Sequence, residues 1–444
     1  MKFTWNWLKD HLDTTATLDE ILDILPMIGL EVEEFDDPKS RLADFTVAEI
    51  VSAERHPNAD KLQVCSVNTG TDTIQIVCGA PNARAGLKTV LARPGTYIPG
   101  LDITIKKGDI RGEESHGMLC SASELGISDD HDGIMELSSQ AEAGSAAAVA
   151  AGLDDPVIEI AITPNRGDCL GVRGIARDLA AAGYGTLKPL DFSEEEGSFD
   201  SPVTWSIETK DPNAVPIVSG RYFRSVTNQP SPAWMQQRLT AIGQRPIDVL
   251  VDITNYIMFD IGRPLHAYDA DKIVGDKLII RNGRAGETLT ALNEKTYELD
   301  DEMIIIGDQN GPDDIAGVMG GERTGVSETT TNMFLEIAIF DPVSVAITGR
   351  KLNLNSDARY RFERGLDADG PTAFAGYITR FIKQLTGAQA SHLVLAGKGV
   401  APVQPISFSP DNVTALTGVD VSASRQQEIL EVLGFDIQAQ GDTS

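Results

Sequence analysis

Histidine and cysteine are scarce in this chain, six and four among 444 residues. The cysteines, Cys65, Cys78, Cys120 and Cys169, are scattered with no Cys-x-x-Cys spacing. A structural zinc site wants paired ligands close in sequence, so these read as reduced structural thiols and no metal is expected. No run approaches the ~20 apolar residues that a membrane span needs. The most apolar low-complexity patch, GSAAAVAAG (144–152), is too short and too small-sided. The opening MKFTWNWLKDHLD has neither an apolar h-region nor a cleavage signal. There is no Gly-x-x-x-x-Gly-Lys-[Ser/Thr] phosphate loop either. Positive charge is in short supply: 37 Lys and Arg stand against 66 Asp and Glu, a formal charge of −29. A general nucleic-acid binder is basic, so such a role would need a local cluster. Hydrophobic residues make up 41%, enough for packed cores. The length suggests about three domains, soluble and cytoplasmic.

One stretch organises the rest, RPIDVLVDITNYIMFDIGRPLHAYDADK (245–272). Val249, Leu250, Val251 and Ile253 read as a buried strand, with Thr254 and Asn255 at its end. Gly262 and Pro264 mark a turn out of which His266 emerges. Polar groups and a histidine set against apolar walls are the ingredients of a small-molecule pocket. A second stretch, AGVMGGERTGVSETTTNMFLEIAIFDP (316–342), adds Gly317, Gly320 and Gly321, which let backbone approach a ligand closely. It also holds Glu336 among Phe334, Leu335, Ile337 and Ile339. A third, LNLNSDARYRFERGLD (352–367), brings Ser356, Ala358 and three arginines. Taken singly, His266 serves equally as a core histidine and Glu336 as a strand-edge charge.

These motifs in order (VDITNY…GRPLHAYD, GVMGGE…LE, SDARYRFERGLD) resemble the editing domain of bacterial phenylalanine–tRNA ligase beta subunits, and the resemblance runs through nearly the whole chain. It implies that His266 and Glu336 hold the phenol of a mischarged tyrosine. Arg245, Thr254 and Asn255 would line the pocket near the ester, and Gly317, Ser356 and Ala358 would shape its walls. Where Ser356 stands the family commonly has threonine. The resemblance further implies an alpha subunit partner, in a heterotetramer of two alpha and two beta chains, and tRNA(Phe). ATP and Mg2+ serve the whole enzyme at the alpha subunit, and no cofactor is expected in this chain. A tRNA-binding scaffold with a vestigial pocket is the competing reading.

Taken in order, the chain opens with a helix carrying Trp5 and Leu8. A second begins at a Thr17–Glu20 capping box and ends at Pro26. From Asp44 to about Leu137 the texture is short strands and turns: FTVAEIVSAE, LQVCSVNTG, TIQIVCGA, KTVLARPGTYI and LDITIKKGDIRG. Five such strands suggest a small barrel, economically an OB-fold. RHPNADKLQVCSVNTG, IVCGAPNARAG and HGMLCSASELG resemble the tRNA-binding OB domain of the family. Residues 84–111 hold Arg84, Lys88, Arg93, Lys106, Lys107 and Arg111 against Asp102 and Asp109, a local net charge of +4. On charge alone this patch solvates a barrel face or meets phosphates; the resemblance points to RNA.

VIEIAITPNRGDCLGVRGIARDLAAAGYG (157–185) gives a strand, a turn and a helix, with Asp168 as N-cap and Arg166 as a surface contact. LKPLDFSEEEGSFDSP (187–202) reads as a linker. The fold class is therefore α+β multidomain. An OB barrel (41–150) is inserted in a small α/β domain (1–40 with 151–190), followed by a mixed α/β editing domain of B3/B4 type (200–398). Residues 399–444 resemble an incomplete B5-like domain.

Overall fold

The computed structural model describes residues 1–127, 131–401 and 404–438. Two compact units emerge, one made of Met1–Glu34 with Glu159–Ser444 and the other of Phe35–Ile158.

In the second unit a five-stranded antiparallel sheet runs in the order Met118–Cys120, Lys88–Ala92, Phe45–Arg55, Gln63–Asn68, Thr73–Cys78. Alternate side chains leave a strand on opposite faces, and Lys88–Ala92 shows it. Leu91 enters a core with Ile50, Cys65, Val67 and Ile76. Val90 and Ala92 enter another with Phe45, Ile98 and Cys120. Three of the five expected strands are continuous. The other two each break in two, because Arg93–Thr96 and Lys106–Lys107 turn the chain: Tyr97–Ile98 pairs Ile103–Thr104, and Gly108–Ile110 pairs Glu113–Ser115. All four cysteines are free and buried. Burial pushes the Cys65 thiol up to about 11, which suits an inert packing residue.

The first unit opens with the helix Trp5–His11, whose N-cap Thr4 accepts from the Trp7 N–H. The helix Leu18–Met27 carries the expected capping box. Pro26 lies inside its last turn rather than beyond it. The helix Val172–Ala181 starts at Gly171, not at Asp168. Asp168 belongs to a preceding 3-10 turn, Gly167–Cys169. Arg166 is no loose surface group, since its guanidinium joins Arg177 in pairing with Asp168 and buried Asp178.

The largest departure from the sequence reading concerns Val249–Ile261, which is a helix and not a strand. Asp248 caps it by accepting from the N–H groups of Leu250 and Val251 at 3.1 Å. Gly262 ends it in the left-handed conformation, at φ 74°, where a side chain would be strained. Nine of its residues are buried, around most of its circumference. An all-round apolar helix loses its 3.6-residue periodicity and resembles a buried strand.

Buried in this helix is Asp260. Its Oδ1 accepts from Trp7 Nε1 at 2.7 Å and lies 2.6 Å from His11 Nε2. Its Oδ2 accepts from the Tyr377 hydroxyl at 3.2 Å. Burial works against the charge, yet the His11 imidazole and these hydrogen bonds hold the carboxyl below its usual range. One carboxylate thus joins the first helix of the chain to Ala375–Thr386. The acidic stretch 187–202 is no free linker. Phe192 packs on Phe374 at 5.0 Å, and Glu195 pairs with Lys383 and Arg380.

Two further sheets face each other across an extensive core. One runs Thr204–Glu208, Lys277–Asn282, Ile304–Asp308, Gly311–Ile315, Met319–Gly320, and the other His266–Asp269, Asn332–Ile339, Ile217–Arg224, Gln389–Ala390. Leu278, Ile280 and Ile305 of the first meet Val218, Tyr268, Phe334 and Ala338 of the second. Ser422 caps Ala423–Val432 by accepting from the Arg425 N–H. Among the described residues no helix is long and apolar enough to cross a membrane.

Breaking the buried Asp260 network tests this architecture. Asp260→Ala strands the donors of Trp7, His11 and Tyr377, and is expected to cost ~3–5 kcal/mol. Urea unfolding followed by tryptophan fluorescence reads the loss; a cost below ~1 kcal/mol would show that the network holds nothing together.

Candidate active site

Asn332–Ile339 is flanked on both sides by antiparallel partners, and this pairing sets the site. Its register puts His266 directly opposite Glu336 on one side and Gly220 opposite Glu336 on the other. Directly opposed residues in such a pair have Cβ atoms ~5 Å apart. The His266 side chain is 20% exposed, whereas Glu336 is only 6% exposed. An approaching ligand therefore meets the imidazole in front of a carboxyl at the back.

Two groups that the sequence reading passed over complete the cluster. Tyr268, two residues along the same strand, shares the face of His266, and their rings meet edge to face at 4.5 Å. Its hydroxyl lies 3.0 Å from Glu336 Oε2 and also bonds Asp314 Oδ2. Asp314 comes from the opposing sheet. Its Oδ1 accepts from the Gly321 N–H at 3.0 Å and stands 3.4 Å from His266 Nε2. The period of two in Leu-His-Ala-Tyr-Asp was the available signal for Tyr268. Asp314 had only the oddity of two acids, Asp313-Asp314, ahead of an apolar-glycine run.

Burial, followed by the nearby Asp314 charge, pushes Glu336 up to about 8, while the hydrogen bond from Tyr268 pulls the other way. Burial and the Asp314 charge both favour the neutral form of Glu336 near pH 7. Asp313, on the opposite face of its strand, is pushed up to about 7 by burial and by Asp314, against the pull of Arg323 and Thr324.

The glycines serve this cluster rather than open space. A Cβ on Gly320 would come within 2.3 Å of His266 Cε1, and one on Gly321 within 2.2 Å of the Asp313 carbonyl oxygen. Gly317, at φ 69°, turns the chain where a Cβ would press on Phe340, Val345 and Phe362. Ser356 caps Asp357–Phe362 by accepting from the Arg359 N–H at 3.0 Å, and donates to the Val318 carbonyl at 2.6 Å. Ala358 packs on the same core. His266 and Ser356 therefore meet the glycine-rich turn that Gly317 begins, while Glu336 joins through its strand pairing with His266 and Ala358 through the shared core. Thr254 and Asn255 are half-buried in the long helix, and the Thr254 hydroxyl donates to its own Val251 carbonyl at 2.7 Å. No hydrogen bond or ion pair joins either to His266 or Glu336 among the described residues. Arg245 is exposed before that helix; its neighbour Gln244 reaches Asp357, next to Ser356, at 3.2 Å.

In the other unit, four of the six basic residues face carboxylates: Arg84 with Glu136 at 2.7 Å, Lys88 with Glu49 at 3.0 Å, Arg93 with Asp72 at 2.7 Å, Lys107 with Glu114 at 3.0 Å. Lys106 and Arg111 are exposed and have no ion-pair partner among the described residues. An open groove of about 500 Å³ in this unit is lined by Arg55, Asp60, Lys61, Leu62, Gln63, Gly79, Ala80 and Pro81. Elsewhere Asp168, Cys169 and Asp178 stand close enough together to hold a metal. Arg166 and Arg177 already pair with both carboxylates, so the group is an ion-pair cluster.

Two family models match the chain: a B3/4 domain over residues 214–387 and a putative tRNA binding domain over residues 45–146. Curated relatives match it over its whole length. The phenylalanine–tRNA ligase beta subunits of Brucella abortus and Paramagnetospirillum magneticum are each 51% identical over 100% of this chain. That of Bradyrhizobium diazoefficiens is 50% identical over 99%. In each case the chain spans 55% of the relative's length.

Raised above its unfolded value near 4.3, Glu336 links stability to pH. The folded form holds a proton that the unfolded chain releases, so its contribution is full below about pH 4 and is lost as pH rises through about 8. Glu336→Gln, neutral at every pH, is expected to flatten that part of the stability–pH curve, measured as the urea midpoint across the range. A curve of unchanged slope would mean that Glu336 is ionised in the folded protein.

Proposed function

The chain is of the phenylalanine–tRNA ligase beta subunit family, corresponding to the N-terminal part of its relatives, and on that premise we propose that it binds tRNA and hydrolyses tyrosine mischarged onto tRNA(Phe). The observation that carries this reading is the cross-strand pair His266–Glu336, a half-open imidazole in front of a buried neutral carboxyl. An apolar phenylalanine pocket rejects an added hydroxyl by only about a hundredfold. A site that hydrogen-bonds the hydroxyl rejects the analogue lacking it by ~10⁴-fold or more. The tyrosine phenol donates to Glu336 and accepts from His266. Arg245, Thr254 and Asn255 take the ester end, and Gly317, Ser356 and Ala358 form the wall. The attacking water is positioned by backbone and hydroxyl groups.

The B3/4 match supports an editing domain at residues 200–398, and the tRNA-binding match an OB-fold at 41–150. Residues 1–40 with 151–190 form the domain carrying that insertion, and 399–444 the start of a B5-like domain. In the cytoplasm the whole enzyme pairs two such beta chains with two alpha chains, where ATP and Mg2+ serve phenylalanine activation. A scaffold subunit with a vestigial pocket is separated from this reading by a deacylation assay on Tyr-tRNA(Phe).

Glu336→Ala and His266→Ala are each expected to slow Tyr-tRNA(Phe) hydrolysis by about ten- to a hundredfold relative to Phe-tRNA(Phe), the cost of a buried hydrogen bond. The double substitution falls short of the product of the two if both hold one hydroxyl. An unchanged Tyr/Phe ratio in folded variants would move the editing site elsewhere.

For tRNA contact, Lys106 and Arg111 lead, since neither has an ion-pair partner among the described residues. Each alanine substitution is expected to weaken binding about equally across tRNA sequences and to reduce the slope of log affinity against log salt by roughly one. Lys88→Ala leaves the slope alone, because its ammonium is held on Glu49 at 15% exposure. Equal slopes for wild type and all three variants would place the phosphate contacts outside this patch.

A further inference from the structure

We propose that Asp314 and Tyr268 are positioning residues of the tyrosine-reading pair, forming a relay that keeps a proton on Glu336 and aims both Glu336 and His266. The inference rests on the editing reading above.

It starts from a count of donors. The Tyr268 hydroxyl has one hydrogen and lies within bonding distance of two carboxyl groups, on Asp314 and on Glu336. It can donate to only one of them. With both carboxyls ionised, the second would face a lone pair inside a core that excludes water, a costly arrangement. One proton removes the conflict, with Glu336 donating to Tyr268 and Tyr268 donating to Asp314.

Asp314 is the better seat for the negative charge. Its Oδ1 accepts the Gly321 N–H at 3.0 Å, which favours an anion, and it stands 3.4 Å from His266 Nε2. The Glu336 carboxyl accepts no backbone N–H among the described residues, its one hydrogen-bond partner there being the Tyr268 hydroxyl. The strand on its other side presents Gly220 at that register, with no titratable group. Asp313 points away, toward Arg323 at 2.7 Å and Thr324 at 2.9 Å.

Asp314 therefore touches both reading groups, His266 directly and Glu336 through Tyr268. With its proton committed to Tyr268, Glu336 offers its remaining oxygen as an acceptor. A phenol fills that position and a phenyl ring does not. The same proton spares the site a second buried negative charge beside Asp314.

The test follows Tyr-tRNA(Phe) and Phe-tRNA(Phe) hydrolysis by the whole enzyme from about pH 6 to 9.5. In wild type the Tyr/Phe ratio is expected to hold at low pH and fall as pH rises through about 8, as Glu336 ionises. Asp314→Asn removes the neighbouring negative charge and should move that fall to lower pH by about one unit or more. Glu336→Gln should abolish it. Tyr268→Phe keeps the ring against His266 and should lower the ratio about fivefold at pH 7, the worth of one hydrogen bond.

A second arm needs no activity. Carboxyl NMR of 13C-labelled glutamate, with Glu336 assigned by its loss in Glu336→Gln, reads its protonation directly in wild type and in Asp314→Asn. An unmoved breakpoint in folded Asp314→Asn, or an ionised Glu336 at pH 7, overturns the relay. If the wild-type enzyme hydrolyses no Tyr-tRNA(Phe), the editing reading fails and the NMR titration alone decides the relay.

Discussion

Everything at the candidate site depends on the register of one strand. Asn332–Ile339 is hydrogen-bonded on both sides, and every residue after Asn332 is buried. A slip of one residue would send Glu336 to the opposite face and bring Leu335 or Ile337 toward Tyr268. Packing forbids this, since Phe334 is fully buried against Trp205 and beside Gly220. A Cβ at Gly220 would come within 2.3 Å of the Phe334 ring. The hydrophobic core thus fixes the position of a polar group that it would otherwise exclude. Such rigid support is what a hydrogen-bonding specificity pocket requires.

How far this was legible in the sequence varied with the kind of signal. Capping boxes and left-handed glycines act over three or four residues, so Thr17–Glu20 and Gly262 stood out in the string. Alternation did the same for Phe45–Arg55, Gln63–Asn68 and Thr73–Cys78. The helix Val249–Ile261 was misread because burial on nearly all sides erased its periodicity. Its two ends, Asp248 and Gly262, carried the better information. His266 and Glu336 attracted notice as polar residues in apolar company. Their partners did not, because the pairing of Tyr268 with Asp314 spans 46 residues and is created by two sheets closing on each other. Asp168 illustrates the converse error, where a local capping rule was applied to a residue held by distant Arg177.

The acidic balance of the chain takes on a different meaning once the ion pairs are placed. Around the basic patch, Glu136, Asp72 and Glu114 cover Arg84, Arg93 and Lys107, and each of these side chains is roughly half exposed. Pairs that wet are worth ~0–1 kcal/mol, so exchanging such a carboxylate for a phosphate oxygen costs little. Lys88 is different, being largely shielded by its own unit. A net charge of −29 then sets how strongly the chain as a whole repels a polyanion at long range. Within a Debye length of about 8 Å, local groups decide the contact.

The Asp260 network has a consequence for the order in which the chain acquires structure during synthesis. Trp7 and Asp260 are 253 residues apart, and Tyr377 is a further 117 beyond. The helix Trp5–His11 leaves the ribosome early with Trp7 and Leu8 apolar and unmatched. Its partners emerge only after the whole of Phe35–Ile158 has been made. That second unit has its own cores and local strand pairings, so it folds as it appears. The first thirty-odd residues wait, and the first unit carries the slow, long-range step of folding.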